Sequence, residues 1–313
     1  MPSGFVTPNS DCRRTLLWSD VRCIQYVLLR HIAYREDDAV EAHSKALGNT
    51  EARFLAALAS RDKTIFTTDE ARQVSGTSAT ATNSLISGLL KKKWLIRLNR
   101  GVYLIVPLSA GGASEYSEDW YVVAKHLIKP AAYYLSHFSA LEIHEMTTQP
   151  VLTVYISTPV RRISKEIAGA TYRFVAIRPD DLWGTEEIWV TPSERVTVSD
   201  LDRTILDCLD RPDLSGGIIE VARGLWAVRD RLDFARLAEH TKRLGRKSVA
   251  KRLGFLLETF GLGNAEILTA LQMLVSSSYT LLDPSLPAGG RHISRWRVRA
   301  NIEPDEIRSA TTT

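Results

Sequence analysis

The stretch from Ala79 to Trp94 reads ATATNSLISGLLKKKW, in which Ala81, Leu85 and Leu89 recur every four residues and Ile86 and Leu90 join them. That period predicts a helix with one face committed to a core. The opposite side carries Thr80, Thr82, Asn83, Ser84 and Ser87, all short and polar. Upstream, Phe54, Leu55, Ala57 and Leu58 predict a helix that fades at Arg61-Asp62-Lys63, and Ile65-Phe66-Thr67-Thr68 predicts a short strand. Thr68 stands where a cap would precede Asp69 and Glu70 in the first turn of a second helix. Gly76 ends that helix, because glycine takes the left-handed conformation a sharp interhelical turn requires, and Thr77 or Ser78 caps the next one. Beyond Trp94, the β-rich runs 95–98 and 102–106 flank Asn99-Arg100-Gly101, which predicts a hairpin. Helix, strand, helix, tight turn, helix and hairpin in that order predict a winged helix-turn-helix domain over residues 48–107.

Residues 108–117 are small and polar and read as a linker. After them come helical stretches at 119–128 and 133–145, then strand-like runs at 151–157, 171–177, 187–191 and 195–198. Helical periods continue at 201–209, where Ser199 or Asp200 is the cap, and at 218–229, 233–244, 248–260 and 265–275. Residues 291–299 alternate imperfectly and predict a closing edge strand. Strands grouped ahead of helices predict an α+β fold over 118–300, not a doubly wound parallel sheet. Residues 301–313 read as a flexible tail. Residues 1–47, where Val21, Ile24, Leu28 and Ile32 recur at helical spacing before an acidic cluster, read as an N-terminal extension.

Charge sharpens the picture because it is unevenly placed. The chain of 313 residues carries a formal net charge of only +4. Residues 48–107 hold nine basic residues (Arg53, Arg61, Lys63, Arg72, Lys91, Lys92, Lys93, Arg97, Arg100) against four acidic ones (Glu51, Asp62, Asp69, Glu70). Positive charge concentrated on one small unit is the footprint of a phosphate-backbone binder. The expected contacts to double-stranded DNA are Ser78, Thr80, Thr82, Asn83 and Ser87 along the third helix, with Asn83 reading adenine, Lys91, Lys92 and Lys93 at its end, and Arg97 and Arg100 on the wing. Lys242, Arg243, Arg246, Lys247, Lys251 and Arg252 form a second basic run, read either as a solvated face or as a second phosphate-contacting surface. No apolar run is long enough for a membrane span, no secretory signal opens the chain, and Cys12, Cys23 and Cys208 cannot frame a disulfide scaffold, so the expected setting is the cytoplasm.

The segment 77–107, ending Leu98-Asn99-Arg100-Gly101-Val102-Tyr103, resembles the N-terminal winged-helix domain of AbiEi-type antitoxins of type IV toxin–antitoxin systems. The resemblance continues through Tyr134-Leu135-Ser136, Ser139-Ala140-Leu141, Ser199-Asp200-Leu201-Asp202-Arg203-Thr204 and Arg252-Leu253-Gly254-Phe255-Leu256-Leu257-Glu258, covering about residues 48–285. It implies a transcriptional repressor that binds repeats in its own promoter. It also implies a C-terminal antitoxin domain that counters a nucleotidyltransferase-like toxin. Residues 1–47 fall outside it, as an early start codon would produce.

Other chemistries fit less well. The run Ser199-Asp200-Leu201-Asp202-Arg203-Thr204 imitates the nucleophile loop of a Mg²⁺-dependent haloacid-dehalogenase-like phosphatase, with Asp200 and Asp202 as nucleophile and acid/base. A helix comes directly after it, however, so the plainer reading has Asp200 as its cap and Asp202 and Arg203 on its surface. His137, Glu142, His144 and Glu145 lack the one-turn histidine spacing of a zinc helix, and no metal or cofactor is expected. Cys208 falls on the apolar stripe of its helix and reads as a core residue. A winged-helix scaffold used only for protein contacts is the remaining alternative, and the chain is not expected to be an enzyme.

Overall fold

The computed structural model describes residues 47–311 apart from 62, 107–118, 151, 168 and 193. The predicted N-terminal helix, the linker, Cys12 and Cys23 lie outside the described residues. The fold opens with helix α1 (Asn49–Ala59), strand β1 (Ile65–Thr67), helices α2 (Thr68–Ser75) and α3 (Ala79–Lys91), and strands β2 (Leu95–Asn99) and β3 (Val102–Ile105). The three strands form one sheet in the order β1-β3-β2, antiparallel throughout, as the winged helix-turn-helix order requires. Strand alternation divides the apolar residues of this sheet between two cores. Phe66, Leu95 and Tyr103 pack with Phe54, Leu58, Ala71, Ile86 and Leu89 of the three helices. Ile65, Leu98 and Leu104 join a different cluster, with the residues of helix α4 (Trp120–Ile128).

Helix α4 is capped by Asp119, whose carboxylate accepts from the N–H groups of Tyr121 and Val122. Seven of its nine residues are buried, as expected of a helix lodged between two layers. Beyond it lie β4 (Tyr134–Leu135), α5 (His137–Ile143), β5 (Thr153–Thr158), β6 (Lys165–Ile167), β7 (Ala170–Ala176), β8 (Thr185–Trp189) and β9 (Arg195–Ser199). The sheet they build has six strands in the order β6-β7-β5-β4-β9-β8. The pairs β5–β7 and β4–β9 are parallel and the other neighbours antiparallel, so the sheet is mixed, as an α+β fold allows. Two of these strands depart from the sequence pattern. Tyr134–Leu135 falls in a stretch of helical character and Lys165–Ile167 in one with no pattern, both being shorter than the span over which alternation shows.

Helices α6 (Leu201–Asp210), α7 (Ile218–Ala227), α8 (Phe234–Leu244), α9 (Lys247–Phe260) and α10 (Ala265–Gln272) match the predicted helices to within a few residues. A small sheet of β10 (Thr280–Leu281), β11 (Arg291–Ile293) and β12 (Val298–Ala300) then forms, and the predicted single edge strand is in fact two strands and a turn. The expected tail is folded instead. Helix α11 (Pro304–Ser309) buries Ile307 completely and lies against α7 and α9.

Asp200 is the cap of α6, accepting from Arg203 N–H at 2.7 Å, as the sequence suggests. Asp202 and Arg203, expected on the surface, are buried. Asp202 pairs with Arg236 at 2.6 Å, and His240 Nδ1 lies 3.2 Å from it. Arg203 donates to Asp207 at 2.8 Å, to the Tyr134 hydroxyl at 2.8 Å and to the Asp181 carbonyl at 2.9 Å, with its guanidinium 4.6 Å from the centre of the Trp183 ring. Burial works against its charge, but Asp207 and Tyr134 outweigh that and hold it above the usual range. One side chain thereby joins β4, α6 and the loop before β8.

His137 and His144 are both buried and serve structure. His137 sits with φ of 52° and its Nδ1 2.8 Å from Ser136 Oγ, while His144 Nε2 lies 2.6 Å from the Ser199 carbonyl oxygen. Burial pushes His137 down to about 3, helped by the Arg211 charge, and burial pushes His144 down as well. Neutral folded histidines bind fewer protons than the unfolded chain below about pH 6.5, so their stabilising contribution is intact above that pH and declines as the pH falls toward 3. Urea unfolding should therefore lose stability from about pH 6.5 to about pH 4.5, by up to about 1.4 kcal/mol per pH unit for each histidine. His137→Asn, a residue that tolerates the left-handed region, should flatten that slope. An unchanged slope would remove His137 as the cause.

Candidate nucleic-acid interface

The turn between α2 and α3 is fixed by Gly76, whose φ of 61° is left-handed, and by two caps. Thr67, one residue earlier than predicted, caps α2 in a reciprocal box with Glu70: Glu70 N–H donates to Thr67 Oγ1 at 3.2 Å and Thr67 N–H to Glu70 Oε2 at 2.7 Å. Ser78 caps α3 by accepting from Ala81 N–H at 3.3 Å. Thr80, Asn83, Ser84, Ser87 and Lys91 then form an exposed row at helical spacing along α3 and border one open depression.

Thr82 is not in that row. It is fully buried, with its hydroxyl 3.0 Å from each of Ser75 Oγ, Thr77 Oγ1 and the Ser78 carbonyl oxygen. The core face of α3 is Thr82, Ile86 and Leu89, with Leu85 and Leu90 half-buried, whereas Ala81 is exposed. The sequence pattern errs only at the start of the stripe, where it counts Ala81 as core and Thr82 as polar surface. Inside the turn the Thr82 hydroxyl joins Ser75 and Thr77 to the first turn of α3, a link that an alanine would remove.

The predicted cations separate into two groups. Lys92 is engaged: its ammonium meets both Glu51 oxygens, at 2.6 and 2.9 Å. Glu51 also accepts from Gly48 N–H at 2.7 Å, so one carboxylate ties the start of α1 to the end of α3. Gly88 permits this approach, since a Cβ there would stand 3.3 Å from Glu51 Oε1. The Lys92 ammonium and then the Gly48 amide hold Glu51 below the usual carboxylate range. Lys63 and Arg72 are paired with Glu70 and Asp69, at 3.0 and 3.8 Å. Arg53, Arg61, Lys91, Arg97 and Arg100 are exposed and make no ion pair among the described residues. Lys93 is exposed just beyond α3 with φ of 59°.

Arg100 is at the exposed tip of the hairpin, where Gly101 takes a φ of 70° and its carbonyl accepts from Thr68 N–H at 2.9 Å. Asn99 has no role in the sequence reading beyond its turn propensity. Its Oδ1 accepts from Arg100 N–H at 3.0 Å and its amide donates to the Leu127 carbonyl at 3.3 Å, fastening the wing to α4.

The second basic run is not a continuous surface. Lys251 and Arg252 are buried, and Arg252 donates to the carbonyls of Leu209 at 2.8 Å and Leu281 at 2.9 Å. Arg246 pairs with Asp210 at 2.6 Å, and Arg243 lies 4.3 Å from the centre of the Trp183 ring. Lys242 and Lys247 remain exposed. A run of six cations in sequence thus leaves two on the outside that are neither stacked nor paired among the described residues. The phosphatase reading also loses its groups, since Asp200 is a cap and Asp202 is buried against Arg236. Among the described residues no group of three or more His, Cys, Asp or Glu side chains could hold a metal ion, and no helix is long and apolar enough to cross a membrane.

Residues 53–106 match the family model described as transcriptional regulator, AbiEi antitoxin, which bears out the resemblance read from the sequence over this segment. A crystal structure of the RV2827C protein from Mycobacterium tuberculosis aligns with 86% of this chain and 96% of its own, at a TM-score of 0.65 and 14% identity. At that identity the likeness is one of fold, and it extends well beyond the winged helix. No curated protein matches the chain.

Thr82→Ala should lower unfolding free energy by about 1–3 kcal/mol, because a fully buried side chain and its hydrogen bonds across the turn are lost, whereas Thr80→Ala on the exposed row should stay within about 0.5 kcal/mol of the parent. Equal losses for the two, measured by urea unfolding, would overturn the division of α3 into an inner and an outer face.

Proposed function

We propose that the chain is a transcriptional repressor of the AbiEi antitoxin type that binds double-stranded DNA at repeats in its own promoter, with α3 in the major groove and the hairpin beside it. The match over residues 53–106 supports the regulator and antitoxin class. The observation that carries DNA binding is the exposed row Thr80, Asn83, Ser84, Ser87 and Lys91, flanked by cations that no carboxylate among the described residues neutralises. Short side chains let a helix approach base edges closely. Asn83 can pair with adenine through both its amide atoms, while Lys91, Arg97 and Arg100 meet phosphates and set the register. Ser78 faces solvent at the helix start, where its N–H side also favours a phosphate. Lys92 acts through its ion pair, holding α3 on α1, and not through phosphate. The α+β region counters a nucleotidyltransferase-like toxin encoded with it, a partner that rests on the family resemblance alone.

Replacing Lys91 and Arg100 with Ala should weaken binding to any duplex and reduce the slope of log K against log salt by about one unit for each cation removed. Asn83→Ala should cost about 1–3 kcal/mol on the operator and little on random duplex. Lys92→Ala should lower thermal stability and leave the salt slope nearly intact. Gel-shift or fluorescence titrations across salt concentrations, with a thermal melt for Lys92→Ala, read all three, and a salt slope insensitive to Lys91 and Arg100 would defeat the assignment.

A further inference from the structure

The turn 294–297 between β11 and β12 is anchored by Trp296, which is fully buried and donates its indole N–H to Glu258 at 2.6 Å. Its ring lies so close to Gly254 in α9 that a Cβ there would come within 2.1 Å. Sinking this tryptophan leaves Arg295 exposed and Arg297 half-buried, Arg297 with a φ of 51° and its guanidinium 3.4 Å from the Tyr279 hydroxyl. Both line a depression of about 280 Å³ together with Ser276, Ser277 and Ser294. Lys251 reaches the same segment from within: it is 1% exposed, and its ammonium donates to the Ser278 carbonyl and lies 3.3 Å from Ser278 Oγ and Thr280 Oγ1.

The charges here do not balance. Glu258 pairs with Arg295 and is the only carboxylate bonded to any of the three cations among the described residues. Lys251 and Arg297 have none, and Lys251 feels Arg297: burial and then that neighbouring charge push its ammonium down. Like charges gathered without a counter-charge repel, and an anion from outside relieves them. Three serine hydroxyls can donate to an oxyanion, and a guanidinium presents a fork of donors that matches phosphate. The depression has room for such a group together with the rest of a small molecule, and its lining shares no residue with the exposed row on α3.

We propose that this depression binds the phosphate group of a small phosphate ester, held by Arg297 and the hydroxyls of Ser276, Ser277 and Ser294 over the positive charge of Lys251. The site is independent of the duplex-binding face. Calorimetric titration of the full chain with inorganic phosphate and with adenosine 5′-monophosphate tests it. Saturable binding is expected. Arg297→Gln should weaken it at least about tenfold, as loss of a charge-assisted contact does, and Arg100→Ala on the wing should leave it unchanged. Ser277→Asp, which supplies a carboxylate from within, should abolish binding in a protein that melts no lower than the parent, and it carries the test if Arg297→Gln fails to fold. Tighter binding of the nucleotide than of inorganic phosphate identifies an ester whose remaining atoms are read, and equal binding identifies recognition of the oxyanion alone. Absence of saturable binding up to about 10 mM overturns the proposal. So does indifference to both substitutions, or an Arg297→Gln effect confined to random-sequence duplex, which would assign the arginine to nucleic acid.

Discussion

Ile65, Leu98 and Leu104, one from each strand of the wing sheet, are buried in the same apolar cluster as α4 and the strands of the larger sheet. The alternating residues Phe66, Leu95 and Tyr103 face the opposite way, into the core of α1, α2 and α3. This sheet therefore sits between the three helices and the rest of the described chain, and both of its faces are consumed. With the sheet between them, the inner face of α3 packs toward the wing, and its outer face is directed away from the second half of the chain. The polar ties reinforce the arrangement, as Asn99 reaches the Leu127 carbonyl and Lys165 donates to the Leu98 carbonyl at 3.2 Å. A three-helix unit built into a larger core in this way holds the outer row of α3 on a rigid support, since close packing on both faces of the sheet leaves the helix little room to shift.

Much of this was legible because local rules governed it. Gly76 at the helix junction, Asp200 as a cap, the Asn99-Arg100-Gly101 turn and the amphipathic periods of the later helices all arise from backbone preferences within a few residues. The exposed row on α3 was legible for the same reason, apart from Thr82. What escaped were polar and charged residues whose partners are distant in sequence. Arg203 is satisfied by Tyr134 and Asp181, Asp202 by Arg236, and Arg252 by carbonyls near residues 209 and 281. Composition assigns such groups to the surface, because burying a charge is costly unless it is paired, and sequence alone does not reveal the pairing.

Residues 108–117 read as a linker between a winged helix and an α+β domain, and the described residues on its two sides share one apolar cluster. The signal for this lay in α4, whose apolar residues surround it on every side. A helix with that pattern needs neighbours on more than one face, and the wing sheet supplies one of them. The folded C-terminus obeys the same logic, since Ile302 and Ile307 in a polar tail are apolar positions that α7 and α9 leave room to bury.

Net charge is therefore a poor guide to where this chain leaves positive charge open, and the location of each cation decides. In the winged helix, Glu51, Asp69 and Glu70 each neutralise one basic residue, so the positive face is narrower than the count of basic residues suggests. In the α+β region, Arg203 and Arg252 spend their donors on buried oxygens and hold elements together. Where cations reach the surface without a carboxylate, as along α3 and its wing or around Arg297, positive charge remains available to a ligand. Those two places differ in extent, one a row of side chains running along a helix and the other a depression of about 280 Å³ beside a single turn. The electrostatics are shared, and the length of surface over which the charge is spread is what distinguishes them.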